Sequence, residues 1–281
     1  MSTVAPFAWY GGKSRMAAKL VDLLPPHRTY VEPFGGAAAV LCSKPPAVLE
    51  VYNDIDGGLV SFFRALRDYP EDLARALRLT PYARAEFHLA CATWESIEDD
   101  VERARRWYVR CRQAFAGRAA TVGWGFEVTG IQRAGTRSSS FVTSVGELER
   151  FAERFRRVQI DQLDWRDCLT RYDGPGCCFY LDPPYHPATR GRGKHSTYVH
   201  ELSGADHAEL VAAAIAATAT VVVSGYEHET YAPLAAAGFE RIEFAHNTTA
   251  SRALSGRGPR TEVVWRRLEP GLQEQLRLAV G

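Results

Sequence analysis

The chain has 281 residues, of which 46% are hydrophobic and 24% are charged, and its formal net charge is +1. This length suits one large domain with an insertion, or two domains. No apolar run approaches the roughly 20 residues needed to span a bilayer. The N-terminus has no basic region followed by an apolar segment, so we expect a cytoplasmic chain. The six cysteines include no C-x-x-C pair and no Cys/His cluster at zinc spacing, so neither a metal site nor a disulfide framework is expected.

The first motif is an aromatic and glycine-rich segment near the N-terminus, Trp9-Tyr10-Gly11-Gly12-Lys13, which precedes a helical pattern. Glycines at a helix entry let the backbone approach a ligand closely, and the start of a helix favours negative charge. The second glycine spacing of a P-loop is missing. A purely structural turn is the alternative interpretation.

Two predicted strands follow, and each ends in residues that suit nucleotide binding. The strand at 29–31 runs into Glu32-Pro33-Phe34-Gly35-Gly36 and then a helix, which is how a doubly wound sheet opens its nucleotide crevice. The absence of G-x-G-x-x-G disfavours a dinucleotide. The strand at 47–52 ends in Asn53-Asp54-Ile55-Asp56, where an acidic residue is placed to bind ribose hydroxyls. Asp56 suits the N-cap of the next helix, which leaves Asp54 for the ribose.

Residues 80–157 interrupt an otherwise regular α/β series. Positions 80–116 have a helical pattern with several aromatic residues, and 117–140, rich in Gly, Ser, Thr and Arg, predicts a long loop or hairpin. Between 101 and 160 there are twelve arginines and five glutamates, with no lysine or aspartate, which gives a net charge of +7. This clustering indicates a polyanion held at one face. The alternative is a helical insertion with a solvated basic face.

Apolar runs predict further strands in the C-terminal half, at 158–160, 177–185, 220–224, 239–244 and 261–267. The last two have the alternation of an antiparallel pair. Asp164-Trp165 lies just beyond the first of them. The strand that contains the apolar run 177–180 stops abruptly at Asp182-Pro183-Pro184-Tyr185, because two prolines cannot donate ladder hydrogen bonds. A carboxylate, a backbone carbonyl and a ring in one rigid turn can hold an exocyclic amino group and stack on its base. A strand-ending turn is the alternative interpretation.

In this order the motifs resemble those of the Dam-type, N6-adenine-specific DNA methyltransferases, which use S-adenosylmethionine. The resemblance is carried by Phe7-x-Trp9-x-Gly11-Gly12-Lys13, Glu32-Pro33-Phe34-Gly35-Gly36, Asn53-Asp54, Asp164-Trp165 and Asp182-Pro183-Pro184-Tyr185. It covers nearly the whole chain outside 80–157. It implies an α/β fold, a Rossmann-like class I methyltransferase sheet with a C-terminal antiparallel hairpin. Residues 1–79 and 158–281 would form the catalytic domain, and 80–157 a mostly helical, inserted target-recognition domain.

The same resemblance implies roles for individual residues. Asp54 would bind the cofactor ribose, Asp164 would lie near its adenine with Trp165 beside it, and Asp182 would serve both cofactor and target amine. The expected cofactor set is Trp9, Tyr10, Gly11, Gly12, Lys13, Glu32, Pro33, Phe34, Gly35, Gly36, Asp54, Asp164, Trp165 and Asp182. The expected catalytic set is Asp182, Pro183, Pro184 and Tyr185, without a metal. The expected DNA contacts are Arg110, Arg112, Arg118, Arg133, Arg137, Arg190, Arg192, Lys194, Arg257 and Arg260.

Two features depart from the family pattern. Ala38 stands where the turn after Phe34 usually carries a second spaced glycine. The insert lacks the aromatic-Asn-Gly and Gly-x-Phe-Asn elements of the well-known four-base recognisers, so the target sequence cannot be carried over.

The expected reaction moves a methyl group from S-adenosylmethionine to the N6 amine of adenine in double-stranded DNA after the base is flipped out. A cognate restriction endonuclease is a candidate partner. N4-cytosine methylation uses the same amine chemistry and stays open as an alternative. A non-catalytic nucleic-acid-binding protein on the same scaffold is a second alternative.

Overall fold

The computed structural model describes residues 4–7, 9, 11–115, 123–127, 136–190, 199–246 and 260–272. Within them one sheet is formed by β1 Thr29–Glu32, β2 Leu49–Asn53, β3 Val158–Asp161, β4 Cys177–Leu181, β5 Thr220–Gly225, β6 Glu240–His246 and β7 Arg260–Arg267. The strand order across the sheet is β3-β2-β1-β4-β5-β7-β6. Strands β1 to β5 run parallel, whereas β7 is antiparallel to both β5 and β6. The predicted parallel sheet with a C-terminal antiparallel hairpin is confirmed.

This strand order brings distant motifs together. Strand β1 lies between β2 and β4, so successive connections leave it on opposite sides. Such a reversal opens a crevice at the carboxyl ends of the two strands. The turns that follow Glu32 and Leu181 are therefore neighbours, although the whole insert at 80–157 and two strands separate them in the chain.

The central strands are buried on both faces, which explains their continuous apolar runs. Every residue of β4 and of β5 is buried. Along β4, Cys178 and Tyr180 belong to one hydrophobic core, while Phe179 and Leu181 belong to the core on the other face. The sheet therefore separates two cores and is held rigidly by both.

Helices cover the two faces of the sheet and fill the region between β2 and β3. They are α1 Ala17–Val21, α2 Ala39–Ser43, α3 Gly57–Asp68, α4 Pro70–Arg78, α5 Arg84–Thr93, α6 Asp100–Gln113, α7 Arg137–Gly146, α8 Leu148–Phe155, α9 Trp165–Tyr172, α10 Gly204–Ala216 and α11 Ala232–Ala236. In the part of the chain just described, none of them has the length and apolar character needed to cross a membrane.

Two helices between 84 and 155, α6 and α8, pack directly on α3. Phe62 of α3 stacks on Tyr108 of α6 with ring centroids 5.3 Å apart. Phe63 stacks on Phe155 of α8 at 4.3 Å. One hydrophobic core therefore runs from the sheet through α3 into these helices.

The prediction of a loop or hairpin over 117–140 is wrong for residues 137–140, since α7 begins at Arg137. Thr136 caps this helix, because its side chain accepts a hydrogen bond from the Ser139 N–H at 3.2 Å. Phe141 and Val145 then bury their side chains one turn apart. The serine and threonine content that indicated a loop instead forms a cap and a first turn.

Candidate active site

A cavity of about 440 Å³ opens at the carboxyl ends of β1, β2 and β4. Small-molecule and cofactor sites have volumes in this range. The cavity is lined by the predicted cofactor residues that the structure describes, namely Trp9, Gly11, Gly12, Lys13, Glu32, Pro33, Phe34, Gly35, Gly36, Asp54, Asp164, Trp165 and Asp182. Tyr10, also predicted, lies outside the described residues. The topology thus gathers motifs that are far apart in sequence around one space.

The turn after β1 is held against the end of β2. The Gly35 N–H donates to the Asn53 carbonyl, and the Tyr52 hydroxyl donates to the Gly36 carbonyl, both at 2.8 Å. A Cβ on Gly35 would lie 2.2 Å from the Tyr52 ring, so only glycine fits there. Gly36 has φ +48°, a conformation that glycine adopts without steric cost. The two glycines therefore expose backbone directly to the cavity.

The buried amide of Asn53 joins this turn to the segment after β3. Its Nδ2 donates to the carbonyls of Pro33 at 2.9 Å and Leu163 at 3.1 Å. Its Oδ1 accepts a hydrogen bond from the Leu163 N–H at 2.8 Å. Asn53 thereby fixes Asp164, the next residue, relative to the glycine turn.

Ala38, the departure from the family pattern, precedes α2 with φ 55° and ψ 35°. This is the left-handed region, which costs a residue with a Cβ about 1–2 kcal/mol. The alanine thus adopts the backbone conformation that glycine favours.

The two aspartates after β2 make different contacts. The Asp56 side chain caps α3, accepting hydrogen bonds from the N–H groups of Gly58 and Leu59. Asp54 lines the cavity, and its carboxylate accepts from the Gly36 and Asp56 N–H groups, each at 2.9 Å. Burial raises the pKa of Asp54 to about 7. The capping role of Asp56 is confirmed, and Asp54 is fixed at the edge of the cavity.

Glu32 is a second buried carboxyl group on the cavity wall. Its Oε1 accepts hydrogen bonds from the Tyr30 hydroxyl at 2.7 Å and the Leu41 N–H at 2.8 Å. Burial raises the pKa of Glu32 to about 8. Near neutral pH the group is therefore mainly a carboxylic acid, which can donate as well as accept a hydrogen bond.

Another side of the cavity is lined by aromatic rings and a carboxylate. Asp164 caps α9 by accepting a hydrogen bond from the Arg166 N–H at 2.9 Å. The Arg166 guanidinium lies 4.3 Å from the centre of the Trp165 ring and pairs with Asp206 at 2.7 Å. Phe34 lies 6.3 Å from Trp165 between ring centroids. Two rings beside a carboxylate suit a planar heterocycle that carries an amino group.

Asp182, at the end of β4, is oriented through one of its two oxygens. The Oδ1 atom accepts a hydrogen bond from Lys13 Nζ at 2.5 Å and another from the Ser224 hydroxyl at 2.9 Å. Among the described residues, none donates a hydrogen bond to Oδ2. The carboxylate is thus anchored on one side and keeps an acceptor on the other.

Lys13 is 5% exposed and lies between two carboxylates. Besides Asp182, it ion-pairs with Glu262 of β7 at 3.2 Å. Burial alone would lower the pKa of Lys13, but Asp182 and Glu262 outweigh that effect and raise it well above its usual value. Lys13 is therefore a permanent cation in this site.

The Tyr185 ring is held from several directions. Its hydroxyl contacts Lys13 Nζ and donates to Glu262 Oε2, both at 3.2 Å, and its ring stacks on Tyr226 with centroids 4.3 Å apart. Arg190 donates a hydrogen bond to the Tyr185 carbonyl at 2.6 Å. The aromatic end of the motif is consequently fixed relative to Asp182.

The predicted DNA-binding residues are only partly described. Arg110 lies over the Trp94 ring at 5.2 Å, and Arg137 lies over Phe115 at 5.1 Å. Arg112 donates to the Ser140 carbonyl at 3.0 Å. Arg190 ion-pairs with Glu201 beside the cavity, and Arg260 begins β7. Predicted contacts outside the described residues are Arg118, Arg133, Arg192, Lys194 and Arg257.

The sequence interpretation missed Glu262, Ser224 and Arg166. For Glu262 a signal exists, since this acid directly precedes the apolar run Val263-Val264-Trp265. An acidic residue next to a buried strand suggests a buried carboxylate with a specific partner. Nothing in the local pattern identifies that partner as Lys13, almost the whole chain away.

Comparison with known proteins agrees with this geometry. The DNA N-6-adenine-methyltransferase of Escherichia phage P1 is 23% identical to this chain over 215 residues, which cover 73% of the chain. The chain spans 27% of that relative's length. A match to the family described as D12 class N6 adenine-specific DNA methyltransferase extends over residues 9–229. Since that match contains the glycine turns and the Asp182 motif and covers most of the sequence, the chain belongs to the D12 class N6 adenine-specific DNA methyltransferase family.

Proposed function

We propose that this chain transfers a methyl group from S-adenosylmethionine to the N6 amine of adenine in double-stranded DNA. S-adenosylhomocysteine is the second product, and the amine nitrogen loses one proton. The observation that carries the proposal is Asp182, a carboxylate anchored through Oδ1 with Oδ2 left as an acceptor beside the cofactor-sized cavity. The family and the phage relative support adenine as the base and S-adenosylmethionine as the donor.

The cavity residues fit this cofactor. Asp54 would accept hydrogen bonds from the ribose hydroxyls, and Asp164 with Trp165 and Phe34 would bind the adenine. The glycine turns would let the cofactor lie against the backbone, and Glu32 would accept or donate a hydrogen bond at the polar end of the cofactor. When bound, S-adenosylmethionine supplies an electrophilic methyl group. No metal is assigned a role.

The protein activates the amine by hydrogen bonding. The lone pair of an aromatic amine is delocalised into its ring, so the amine is a poor nucleophile. Acceptance of its two hydrogens by Asp182 Oδ2 and the Pro183 carbonyl favours a pyramidal nitrogen with an available lone pair. These contacts strengthen as positive charge develops on nitrogen, so they stabilise the transition state more than the ground state.

The target base has to leave the duplex to reach this turn, because its amine lies inside the base stack. Tyr185 supplies a stacking surface for the flipped base, and Pro184 keeps the turn rigid. The stacking of Tyr226 on Tyr185 supports that ring from one face.

The region 80–157 would recognise the DNA target. Its arginines, including Arg110, Arg112 and Arg137, would contact phosphates and set the register, and other side chains would read base edges. The basic residues predicted as DNA contacts at 190–194 and 257–260 would add to the binding of phosphates. A restriction endonuclease of the same site specificity is the protein partner we propose.

The test is transfer of labelled methyl from S-adenosylmethionine to unmethylated genomic DNA, followed by nucleoside chromatography. Label in N6-methyladenine is expected. Label in N4-methylcytosine would support the same amine chemistry with cytosine, not adenine, as the target base. Cofactor binding without any label in DNA would contradict the proposed reaction and favour a non-catalytic binding protein.

A further inference from the structure

Glu262 is a buried carboxylate of β7 that contacts the catalytic turn, residues 182–185. It is 4% exposed and directly precedes Val263 and Val264, which are also buried. Its Oε1 lies 3.2 Å from Lys13 Nζ, and its Oε2 accepts a hydrogen bond from the Tyr185 hydroxyl at 3.2 Å. Both contacts of this carboxylate therefore go to groups that touch the turn carrying Asp182.

The cluster contains one more carboxyl group than ammonium groups. Lys13 lies between Asp182 at 2.5 Å and Glu262 at 3.2 Å, so the three groups sum to a charge of −1 when both carboxyl groups are ionised. A cation develops on the amine nitrogen during methyl transfer, and fixed negative charge in a water-poor site stabilises it. If Lys13 had Asp182 as its single carboxylate partner, that pair would be neutral.

Stability does not account for Glu262. Burial raises the pKa of Glu262, which means that its ionised form is disfavoured in this position. Buried ion pairs can often be replaced by apolar groups of similar volume without loss of stability. A buried carboxylate held at the catalytic turn is better explained by the reaction.

We propose that Glu262 is a positioning residue for methyl transfer, which holds the Lys13 ammonium between two carboxylates and the Tyr185 hydroxyl in place. Asp182 then stays oriented through Oδ1 and presents Oδ2 to the amine. The inference rests on the proposed function and adds a residue to the same site. Glu262 acts through Lys13, Asp182 and Tyr185 and does not itself touch the substrate.

The experiment compares Glu262→Gln, which removes the charge and keeps an acceptor for Tyr185, with Glu262→Asp, which keeps the charge. Glu243→Gln is the matched control, because Glu243 is exposed on the neighbouring strand β6. Each variant is assayed for single-turnover methyl transfer to DNA, for the Kd values of S-adenosylmethionine and DNA, and for thermal melting.

We expect Glu262→Gln to lower the single-turnover rate about 10- to 100-fold. This is less than the about 10²–10³ that loss of a group in direct contact with the transition state costs, because Glu262 acts through Lys13 and Tyr185. Both Kd values should stay within about threefold of wild type, because the charge acts in the transition state. Glu262→Asp should recover part of the rate, and Glu243→Gln should match wild type.

A Glu262→Gln rate within about threefold of wild type would overturn the positioning role while methyl transfer itself stood. A weakened Kd with an unchanged rate, or a melting temperature more than about 5 °C lower, would indicate a binding or structural role and also overturn it. Absence of methyl transfer by the wild-type chain would overturn the proposed function and this inference together.

Discussion

Replacing Asp182 with asparagine tests the proposed chemistry without changing the size of the side chain. In the structure Oδ1 accepts hydrogen bonds from both Lys13 and Ser224. The asparagine amide oxygen has to take that position, because an NH₂ group there would face two donors. The NH₂ group is then turned toward the target amine, where an acceptor is needed.

The expected loss follows from this reversal. Removing one preorganised hydrogen-bonding group from a transition state costs about 10²–10³ in rate, or about 2.7–4 kcal/mol. The amide also presents a donor to a donor, so we expect the upper end of that range. Lys13 keeps Glu262 as a carboxylate partner, and the loss in free energy of unfolding should therefore stay below the about 3–5 kcal/mol that breaking an isolated buried pair costs.

The assay is single-turnover transfer of labelled methyl with enzyme in excess over DNA, beside thermal melting of the same preparation. Asp68→Asn is the control, since Asp68 ends α3 as an exposed residue paired with Arg67. An Asp182→Asn enzyme that transfers methyl within about threefold of the wild-type rate would refute the assigned role of this carboxylate.

Three further predictions concern the cofactor pocket and the insert. Gly35→Ala should lower the free energy of unfolding, measured with denaturant, by about 1–3 kcal/mol, since its Cβ would meet the buried Tyr52 ring. Gly174→Ala is the control and should leave that free energy unchanged, because a Cβ there meets nothing within 4 Å. Burial raises the pKa of Asp54 to about 7, so S-adenosylmethionine affinity measured by calorimetry should increase as pH rises through that value. Asp54→Asn should weaken binding at least about tenfold above that pH and abolish this step; an identical pH profile in the variant would contradict ribose binding by Asp54. Arg112→Ala should reduce the slope of log Kd for DNA against log salt by about 1, and an unchanged slope would place the phosphate contacts elsewhere.

Local patterns in the sequence determined much of this protein. Continuous apolar runs predicted β4 and β5, because strands covered on both faces have no polar side to alternate with. The two prolines after Asp182 fixed the end of β4, since they cannot continue a ladder. The assignment of Asp56 as a helix cap was correct because capping depends on residues only two or three positions away. The boundaries of the insert and its role in DNA recognition stay predictions.

Features that depend on contacts between residues far apart in the sequence became visible only in the tertiary structure. The start of α7 at Arg137 was not predicted, because serine and threonine are common both in helix caps and in loops. The burial of Phe141 and Val145 distinguishes the two, and it is visible only in the folded structure. The position of β7 between β5 and β6 depends on pairing across the sheet, which strand periodicity does not encode. That pairing alone brings Glu262 to Lys13, at opposite ends of the chain, and thereby sets the charge around Asp182. The sequence therefore predicted which polar groups lie at the strand ends. The packing of distant strands determines the ion pairs and the orientation of those groups, because electrostatic contacts depend on distance in space.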